Sequence, residues 1–374
     1  MLVSLAMHVT VYSYPSMQLA ILLFLCSTLS LFGGFLMTRL VLRLQTAKTV
    51  ERPLYQINLT QLRRVEWFLV GVSGVILIAN FVAYGPPPLF TLLGANTLNY
   101  VEYGKLKQVL NAVTLALTVT VSLETVRRRK ILLYSLSYFS MIAYATRGFL
   151  LLMLAQTFFV FCLQTRTSKR KLYVAAVTTV MAAVLLSNFI GNGRAESTSD
   201  AFVSFFGITN TYANWPMATL WVLSYVSTPI SNICWIVHSY HYTGPSLTFL
   251  TTLLPAFWAP ESLETQYLGS SFVIDGVHTY LAKYFLDLWY FGIVLINVIW
   301  GILAALLGHR NRLITRPLTS AVLLSAIVFI FFADFLTFLS VFMELAVLIL
   351  LERYALLPRE LQWERLSSAA LNEV

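Results

Sequence analysis

The sequence predicts an all-α protein that crosses a membrane about nine times and forms one integral unit over residues 1–374. Of the 374 residues, 58% are hydrophobic and 11% are charged, whereas soluble domains contain about 25% charged residues. The charged residues fall in short segments between long apolar runs. The net charge of +9 therefore indicates membrane topology and provides no soluble basic face for nucleic acid.

Nine apolar runs are predicted to span the membrane, because a spanning helix needs about 20 mostly apolar residues. The runs are 17–38, 65–84, 108–126, 131–146, 148–165, 172–190, 286–308, 317–333 and 335–351. Six lie within residues 1–190 and three within 286–351, followed by a tail at 352–374. The fourth and fifth runs meet at Arg147 and the eighth and ninth at Asp334, which predicts two tight helical hairpins.

The loop charges predict an orientation. Segments on one side hold 20 of the 25 lysines and arginines: 39–64, 127–130, 166–171, 310–316 and 353–365. By the positive-inside rule these segments are cytoplasmic, with the N-terminus outside and the C-terminus inside. The remaining basic residues then lie at the outer face: Lys105, Lys107, Arg147, Arg194 and Lys283.

Residues 191–285 form the one long outer loop of this topology. The loop is rich in Tyr and Trp, and its segment 220–237 is apolar enough to contact lipid. Pro229 and several hydroxyl groups lie at the centre of that segment. Irregular backbone at membrane depth needs cover from protein or water, so the segment is predicted to form a re-entrant or surface-lying helical pair.

Arg147 and Arg194 are candidates for binding one anion at the outer face, with Lys283 as a third cation. Arginine suits a phosphate because its planar guanidinium gives two parallel charged hydrogen bonds. The alternatives are structural. Arg147 would extend into lipid headgroups, and Arg194 would be a solvated residue after the glycine turn "GNG".

A second candidate cluster begins just before the seventh run. Asp275 and His278 are three residues apart, a helical spacing that would hold the imidazole for proton transfer. Asp287 is a second candidate base, or alternatively a helix-start charge or a partner for Lys283. No metal site is predicted, because His238 and His241 have no third ligand nearby. Glu124 and Glu344 are assigned to packing.

The layout resembles that of the oligosaccharide repeat-unit polymerases, which include the O-antigen polymerases of bacterial inner membranes. The resemblance rests on four stretches and a late span. They are "YPSMQLAILLFLCSTLSLFGGF" (14–35), "YATRGFLL" (144–151), "GNGR" (191–194), "LSYVSTPISN" (223–232) and "HTYLAKYFLDLWYFGIVLINVIWGILAALL" (278–307). Together they match the pattern and topology of the family, including an arginine at a hairpin tip and another opening a large outer loop, except that Met1–Ser16 is too short for the extra first span of many members.

The resemblance implies an inverting glycosyltransferase of GT-C-like architecture in the bacterial inner membrane, with its active site facing the periplasm. The growing glycan would move from undecaprenyl pyrophosphate to the non-reducing end of another undecaprenyl-pyrophosphate-linked repeat unit. The implied partners are these lipid-linked oligosaccharides, membrane lipids and a chain-length-regulating co-polymerase. No cofactor or metal is implied.

The resemblance also implies residue roles. Arg147, Arg194 and Lys283 would stabilise the departing pyrophosphate, and His278 or Asp287 would act as general base. The residues expected to contact sugar are Tyr225, Asn232, Tyr240, Tyr242 and Tyr280.

Two other functions fit the sequence. An O-antigen ligase would use the same donor with a different acceptor. A flippase or other transporter of lipid-linked sugar would show more spans, internal repeats and polar residues deep in several helices. The polar residues of this sequence instead concentrate at the predicted outer face, which favours chemistry there.

Overall fold

The described residues fold into α-helices, with one pair of very short strands among them. The computed structural model describes residues 8, 14–44, 55–87, 89–90, 104–144, 147–164, 169–194, 208–254, 280–307, 317–330, 335 and 338–358. The helices within these residues are α1 (Met17–Leu44), α2 (Leu59–Tyr84), α3 (Gly104–Val121), α4 (Arg127–Ala143), α5 (Arg147–Gln164), α6 (Lys169–Arg194), α7 (Met217–Ser239), α8 (Leu281–Leu307), α9 (Pro317–Val328) and α10 (Leu339–Ala355). Strand β1 (Tyr55–Ile57) pairs antiparallel with β2 (Leu356–Pro358).

Three helical segments are long and apolar enough to cross a membrane, judged by length and composition over the described residues. They are Met17–Leu42, Leu59–Tyr84 and Leu281–Leu307. Shorter apolar helices cover Leu106–Val121, Gly148–Leu163 and Leu318–Val328. Each of the nine predicted runs overlaps one helix, so their helical character is confirmed.

Large apolar side chains are exposed along α1 and α2. Examples are Leu29, Met37, Phe68 and Val82. Water does not favour such continuous apolar surfaces, and exposed patches of this kind mark contact with a membrane or a partner. The exposure therefore agrees with the membrane character predicted from composition.

The ends of α2 follow from local sequence. Its first turn is capped by Asn58, whose side-chain oxygen accepts from the N–H of Gln61 across 3.2 Å. The helix ends at Gly85, which has φ 85° and donates its N–H to the carbonyl of Phe81. A positive φ suits glycine because it has no Cβ, and the prolines that follow cannot continue the helix.

The predicted hairpin at Arg147 is confirmed as a break between two helices. α4 ends at Ala143, α5 begins at Arg147, and the hydroxyl groups of Tyr138 and Thr157 lie 3.5 Å apart across the pair. Asp334, the other predicted hairpin tip, lies outside the described residues.

The prediction for 220–237 is wrong in one respect. The structure has a single continuous helix, α7, with Pro229 inside it, where a helical pair was expected. Most of the residues from Val226 to Val237 are buried, so protein covers the backbone that proline leaves without a donor. The long loop is also shorter than predicted, because α8 already begins at Leu281.

The chain divides into two compact units. Unit 1 comprises Met1–Arg39, Val180–Ala305 and Ala326–Phe338, and unit 2 comprises Leu40–Thr179, Leu306–Ser325 and Leu339–Val374. Unit 1 has a core of α7 and α8 residues that includes Ile233, Cys234 and Phe285. Unit 2 contains α2 to α5 and α10 together with the strand pair.

Within unit 1, α1 and α8 approach each other closely at two glycines. A Cβ at Gly34 would lie 2.5 Å from the carbonyl oxygen of Val298, and a Cβ at Gly301 would collide with the carbonyl oxygen of Leu31. Small residues permit such close approach, and membrane helices use it in place of a hydrophobic driving force.

Candidate functional site

The candidate site lies in unit 1, where α8 is interrupted near its start. Trp289 has φ 58° and ψ −152°, a backbone conformation that is essentially restricted to glycine. The chain bends here, and a Cβ at Gly292 in the next turn would collide with the carbonyl oxygen of Tyr284. Strained residues of this kind concentrate at functional sites, so the bend identifies the surrounding side chains as candidates.

Asp287, two residues before the bend, binds the loop that follows α7. Its carboxylate accepts hydrogen bonds from the hydroxyl of Ser246, from the hydroxyl of Thr248 at 2.6 Å and from the N–H of Phe249 at 2.5 Å. The carbonyl oxygen of Asp287 also accepts from the N–H of Ser246 at 2.9 Å. The side chain is almost completely buried.

This geometry favours a positioning role for Asp287. Three donors fix the orientation of its carboxylate and use lone pairs that a general base would need for a substrate hydroxyl. The sequence offered a weak signal for this contact. Ser246 and Thr248 follow the Gly244-Pro245 turn, and hydroxyl groups in such turns often satisfy nearby polar groups.

Aromatic rings surround Trp289. The ring of Phe285 stacks on it with centroids 4.6 Å apart, and the rings of Tyr242 and Tyr240 lie at 5.5 and 6.2 Å. Tyr242 is 40% exposed, whereas Tyr240 is buried. The cluster therefore reaches the surface of unit 1 through Tyr242, and aromatic faces of this kind can stack against sugar rings.

Tyr240 links this cluster to the bend of α8. Its hydroxyl donates to the carbonyl oxygen of Leu286 across 2.6 Å. Burial raises the pKa of the Tyr240 phenol, and the charge of Asp287 acts in the same direction. The phenol therefore keeps its proton and remains a hydrogen-bond donor at neutral pH.

Lys283 is a buried cation one helical turn before Asp287. Its side chain is 5% exposed, and its Nζ lies 5.1 Å from the centroid of the Tyr284 ring. A cation over an aromatic face gains about 0.5–2 kcal/mol. Buried lysines are rare, which strengthens the case for a positive charge used by this site.

Tyr280 and Asn232 lie in the interior of unit 1. The hydroxyl of Tyr280 lies 2.8 Å from that of Ser27 and donates to the side-chain oxygen of Asn297. Asn232 is fully buried on α7. These positions give both residues packing roles, and their contact with sugar stays a prediction.

The structure leaves four predicted site residues without side-chain geometry. His278 lies outside the described residues. Arg147 is the first residue of α5, Arg194 is the last residue of α6, and Tyr225 lies within α7. The side chains of these three residues lie outside the described part of the structure. The convergence of the two arginines on one anion stays a prediction.

Unit 2 contains an ion network that the sequence analysis missed. Arg129 pairs with Glu66 at 2.8 Å and with Glu124 at 3.0 Å, and Arg63 pairs with Glu124 at 3.1 Å. Both glutamate side chains are fully buried. The signal was the position of each glutamate, since both lie within five residues of an arginine at the end of an apolar run.

Glu124 lies in the turn between α3 and α4. Burial by itself raises the pKa of its carboxyl group. Hydrogen bonds from Arg63 and from the N–H groups of Val126 and Thr125 outweigh burial and lower the pKa to about 2. The carboxylate is therefore ionised at neutral pH and ties the ends of three helices together.

No three His, Cys, Asp or Glu side chains in the described ranges lie together as a metal site would require. A scan against protein-family models found no match, and neither did searches of curated proteins and of solved structures.

Proposed function

We propose that the protein is an inner-membrane glycosyltransferase that polymerises lipid-linked oligosaccharide repeat units at the periplasmic face. The observation that carries this proposal is the aromatic cluster at the bend of α8. Tyr242 is 40% exposed and offers a ring face to a sugar beside Trp289, while Lys283 supplies a buried cation on the helix that carries Trp289. Stacking faces beside a fixed charge suit a substrate that joins a glycan to a phosphate.

The proposed topology has nine spans, with the N-terminus outside and the C-terminus inside. Contacts within unit 2 support it. Strand β1 and strand β2 pair with each other, and both belong to segments proposed to be cytoplasmic. Glu124 is bound by Arg63, from the segment that contains β1, and by Arg129, from a third proposed cytoplasmic segment. Segments that meet at one end of a helical bundle must lie on one side of the membrane.

The proposed reaction forms one bond and breaks another at the anomeric carbon. The acceptor hydroxyl oxygen attacks that carbon, the bond to the pyrophosphate oxygen breaks, and the hydroxyl proton passes to a base. Negative charge develops on the departing pyrophosphate, and fixed cations stabilise it most effectively in a site that excludes water.

The residues take separate roles in this proposal. Lys283, Arg147 and Arg194 bind the pyrophosphate, and His278 is the base. Asp287 positions the loop after α7, so that Tyr240 and Tyr242 remain beside Trp289.

The primary test is deletion of the gene in the bacterium that carries it, followed by electrophoresis of its surface polysaccharide. A polymerase mutant retains single repeat units and loses the ladder of longer chains. Complementation with the wild-type gene should restore the ladder. Loss of all repeat units would contradict the proposal and indicate a ligase or a flippase.

The site is tested in the same strain by substitution. Tyr242→Ala should shorten the chains, because it removes the exposed stacking face, without lowering protein abundance. Tyr173→Ala is the matched control, since Tyr173 is an exposed tyrosine on α6. Arg147→Lys and Arg194→Ala should abolish chain growth, with Arg170→Ala as control. Full-length chains in both arginine variants would contradict the pyrophosphate role.

A transporter of lipid-linked sugar is a second candidate, favoured by the interior of unit 2. Polar side chains are buried within four helices of this unit, at Asn80, Asn111, Gln156 and Glu344. From the sequence, polar residues were expected chiefly at the outer face. Buried polar groups in four helices instead match one feature expected of a transporter. Loss of all surface repeat units in the deletion strain would favour this candidate.

A further inference from the structure

Unit 2 is built around α3, and polar side chains occupy the interior that this helix forms. Every residue of 110–124 is buried, and α3 packs against α2, α4, α5 and α10. A helix buried on all sides is normally apolar. This one carries Asn111, Thr114 and Thr118, and polar residues inside membrane helices are functional candidates.

Glu344 on α10 is an ionisable group in this interior. Its side chain is fully buried, and the amide nitrogen of Gln156 on α5 donates to its Oε2 across 3.1 Å. Among the described residues, its Oε1 has no hydrogen-bond partner and its carboxyl group forms no ion pair. An ionised carboxylate without a charge partner is very unfavourable in an apolar medium.

Other buried oxygen atoms in the interior of unit 2 also have no hydrogen-bond partner among the described residues. Within the described part of unit 2, hydrogen-bond partners are lacking for Gln156 Oε1, Asn111 Oδ1, Thr114 Oγ1 and Ser73 Oγ. Folded proteins satisfy nearly all such atoms with protein groups or water. The amide oxygens of Gln156 and Asn111 only accept hydrogen bonds and therefore need donors, which water and a protonated carboxyl group supply.

Two contacts show how α2 and α3 are aligned along their lengths. Arg63 on α2 pairs with Glu124 beyond the end of α3, and Ile76 packs with Leu110 further along the same two helices. The residue numbers rise on α2 while they fall on α3, so the two helices run antiparallel. The ion pair then provides a reference level for both of them.

Ser73 and Thr114 lie at similar heights above this reference. Ser73 is ten residues from Arg63 along α2, about 15 Å, and Thr114 is seven residues from the end of α3 at Val121, about 10 Å, with Glu124 in the turn beyond. The hydrocarbon core of a bilayer is about 30 Å thick. Both hydroxyl groups therefore lie near the middle of the span.

Gln156 and Glu344 lie near this height as well. Arg129 binds at the reference level, and Tyr138 lies nine residues further along α4, a rise of about 14 Å. The Tyr138 hydroxyl meets that of Thr157, which is adjacent to Gln156 in the chain. Gln156 in turn binds Glu344. The polar groups of α2, α3, α5 and α10 thus share one level.

We propose that Glu344 carries an exchangeable proton at neutral pH and forms, with water shared by Gln156 and Asn111, a proton-binding site inside unit 2. One carboxyl oxygen accepts from the Gln156 amide, and the other carries the proton and donates it to water. Release of the proton converts that water to hydronium and leaves a carboxylate, and uptake reverses the step.

Among the described side chains, no ion pair joins Glu344 to the other titratable and charged groups on the surrounding helices. They are Arg63, Arg64, Glu66 and Tyr84 on α2, Lys105 and Lys107 on α3, Arg127, Arg128, Arg129, Lys130, Tyr134 and Tyr138 on α4, Arg147 and Cys162 on α5, and Glu352, Arg353 and Tyr354 on α10. Glu66 is bound by Arg129, and the tyrosines Tyr134 and Tyr138 are uncharged at neutral pH. The remaining groups lie near helix ends.

Infrared spectroscopy of the full chain in lipid vesicles at pH 7 tests the proposal. The wild type should show the carbonyl stretch of a protonated carboxyl group, and Glu344→Gln should lose that band. Exchange into D2O should shift the wild-type band to lower frequency, because the proton exchanges with water. This second measurement needs no variant.

Glu352→Gln is the matched control, because Glu352 lies two turns further along the same helix. Its carboxylate accepts from the N–H groups of Leu318 and Thr319 at 2.7 and 3.1 Å and from the Thr319 hydroxyl at 2.5 Å. These donors hold an ionised carboxylate at the start of α9. Glu352→Gln should therefore keep the protonated-carboxyl band.

Three results would overturn the proposal. They are a band that persists in Glu344→Gln, a band that D2O leaves unchanged, and a band that disappears when sodium replaces choline at constant pH. The last result would assign the site to a metal cation. Where Glu344→Gln does not fold, Gln156→Leu should shift the wild-type band by removing its amide donor, and an unshifted band counts against the site.

Discussion

Asp287 in unit 1 and Glu344 in unit 2 are both buried carboxyl groups on α-helices, yet their surroundings are opposite. Asp287 accepts from two hydroxyl groups and one backbone N–H. Glu344 accepts from one amide, and its second oxygen has no hydrogen-bond partner in the described residues. Both side chains are almost completely buried. The two sites therefore differ in the number of hydrogen-bond donors to the carboxyl group.

The difference separates a structural carboxyl group from a reactive one. A carboxylate that holds three donors stabilises the fold, because its removal leaves those donors unsatisfied. A buried carboxyl group with one donor contributes little to folding and is retained for another reason. The two regions should therefore respond in opposite directions when the polar groups are removed.

The largest expected effect is at Asp287. Asp287→Ala removes the acceptor of the hydrogen bonds from Ser246, Thr248 and Phe249, and a hydrogen bond to a charged group is worth about 1.5–3 kcal/mol. We expect the free energy of unfolding to fall by about 3 kcal/mol or more, as measured by SDS titration in bicelles. Asp287→Asn retains one acceptor oxygen and should recover part of the loss. Equal losses in both variants would contradict the donor argument.

Removal of the polar pair in unit 2 should have the opposite sign. The double variant Gln156→Leu/Glu344→Met replaces both partners with apolar side chains of similar size. Replacing a buried polar or ionic pair in this way is often neutral or stabilising by about 1–4 kcal/mol. We expect a gain of about 1 kcal/mol in the same titration. A loss of stability would show that the pair holds the helices together, and the contrast with Asp287 would fail.

The sequence was sufficient for the helices and insufficient for the contacts between them. Each of the nine apolar runs coincides with a helix, because the length and hydrophobicity of a run are read directly from the local sequence. The bond of Asp287 to Ser246 and Thr248 joins residues about 40 positions apart, and the bond of Gln156 to Glu344 joins residues 188 apart. Such contacts depend on tertiary packing, which no local pattern records.

The dependence on tertiary packing also explains why the prediction for residues 220–237 was wrong. Pro229 and its neighbouring hydroxyl groups indicated a broken segment at 220–237, yet α7 is continuous. Local propensity was overridden because the surrounding protein buries this part of the helix. Glu344 was assigned to packing for the opposite reason, since its sequence context is apolar and shows nothing of Gln156.

Glu124 extends the comparison to a third buried carboxyl group, one with full charge partners. Its pKa is lowered from 4.5 to about 2, so the stabilisation is complete above about pH 5 and is lost as the pH falls towards 2. Glu124→Gln should lower the free energy of unfolding at pH 7 by about 1 kcal/mol, because solvent at Arg63 screens the pair. The deficit should shrink between pH 4.5 and 2. A deficit independent of pH would mean that the carboxylate charge is not what stabilises the turn.

The smallest expected effect concerns Ser27, whose hydroxyl lies 2.8 Å from that of Tyr280 and donates to the side-chain oxygen of Asn297 at 3.0 Å. Hydrogen bonds between membrane helices are worth about 0.6 kcal/mol on average. Ser27→Ala should cost about that much, since Tyr280 still donates to Asn297. Thr28→Ala is the matched control, because Thr28 bonds only the carbonyl of Phe24 on its own helix among the described contacts. A cost several times larger for Ser27→Ala would show that satisfied polar clusters in unit 1 act as a unit. The three hydrogen bonds of Asp287 would then account for only part of the stability that unit 1 gains from its buried polar groups.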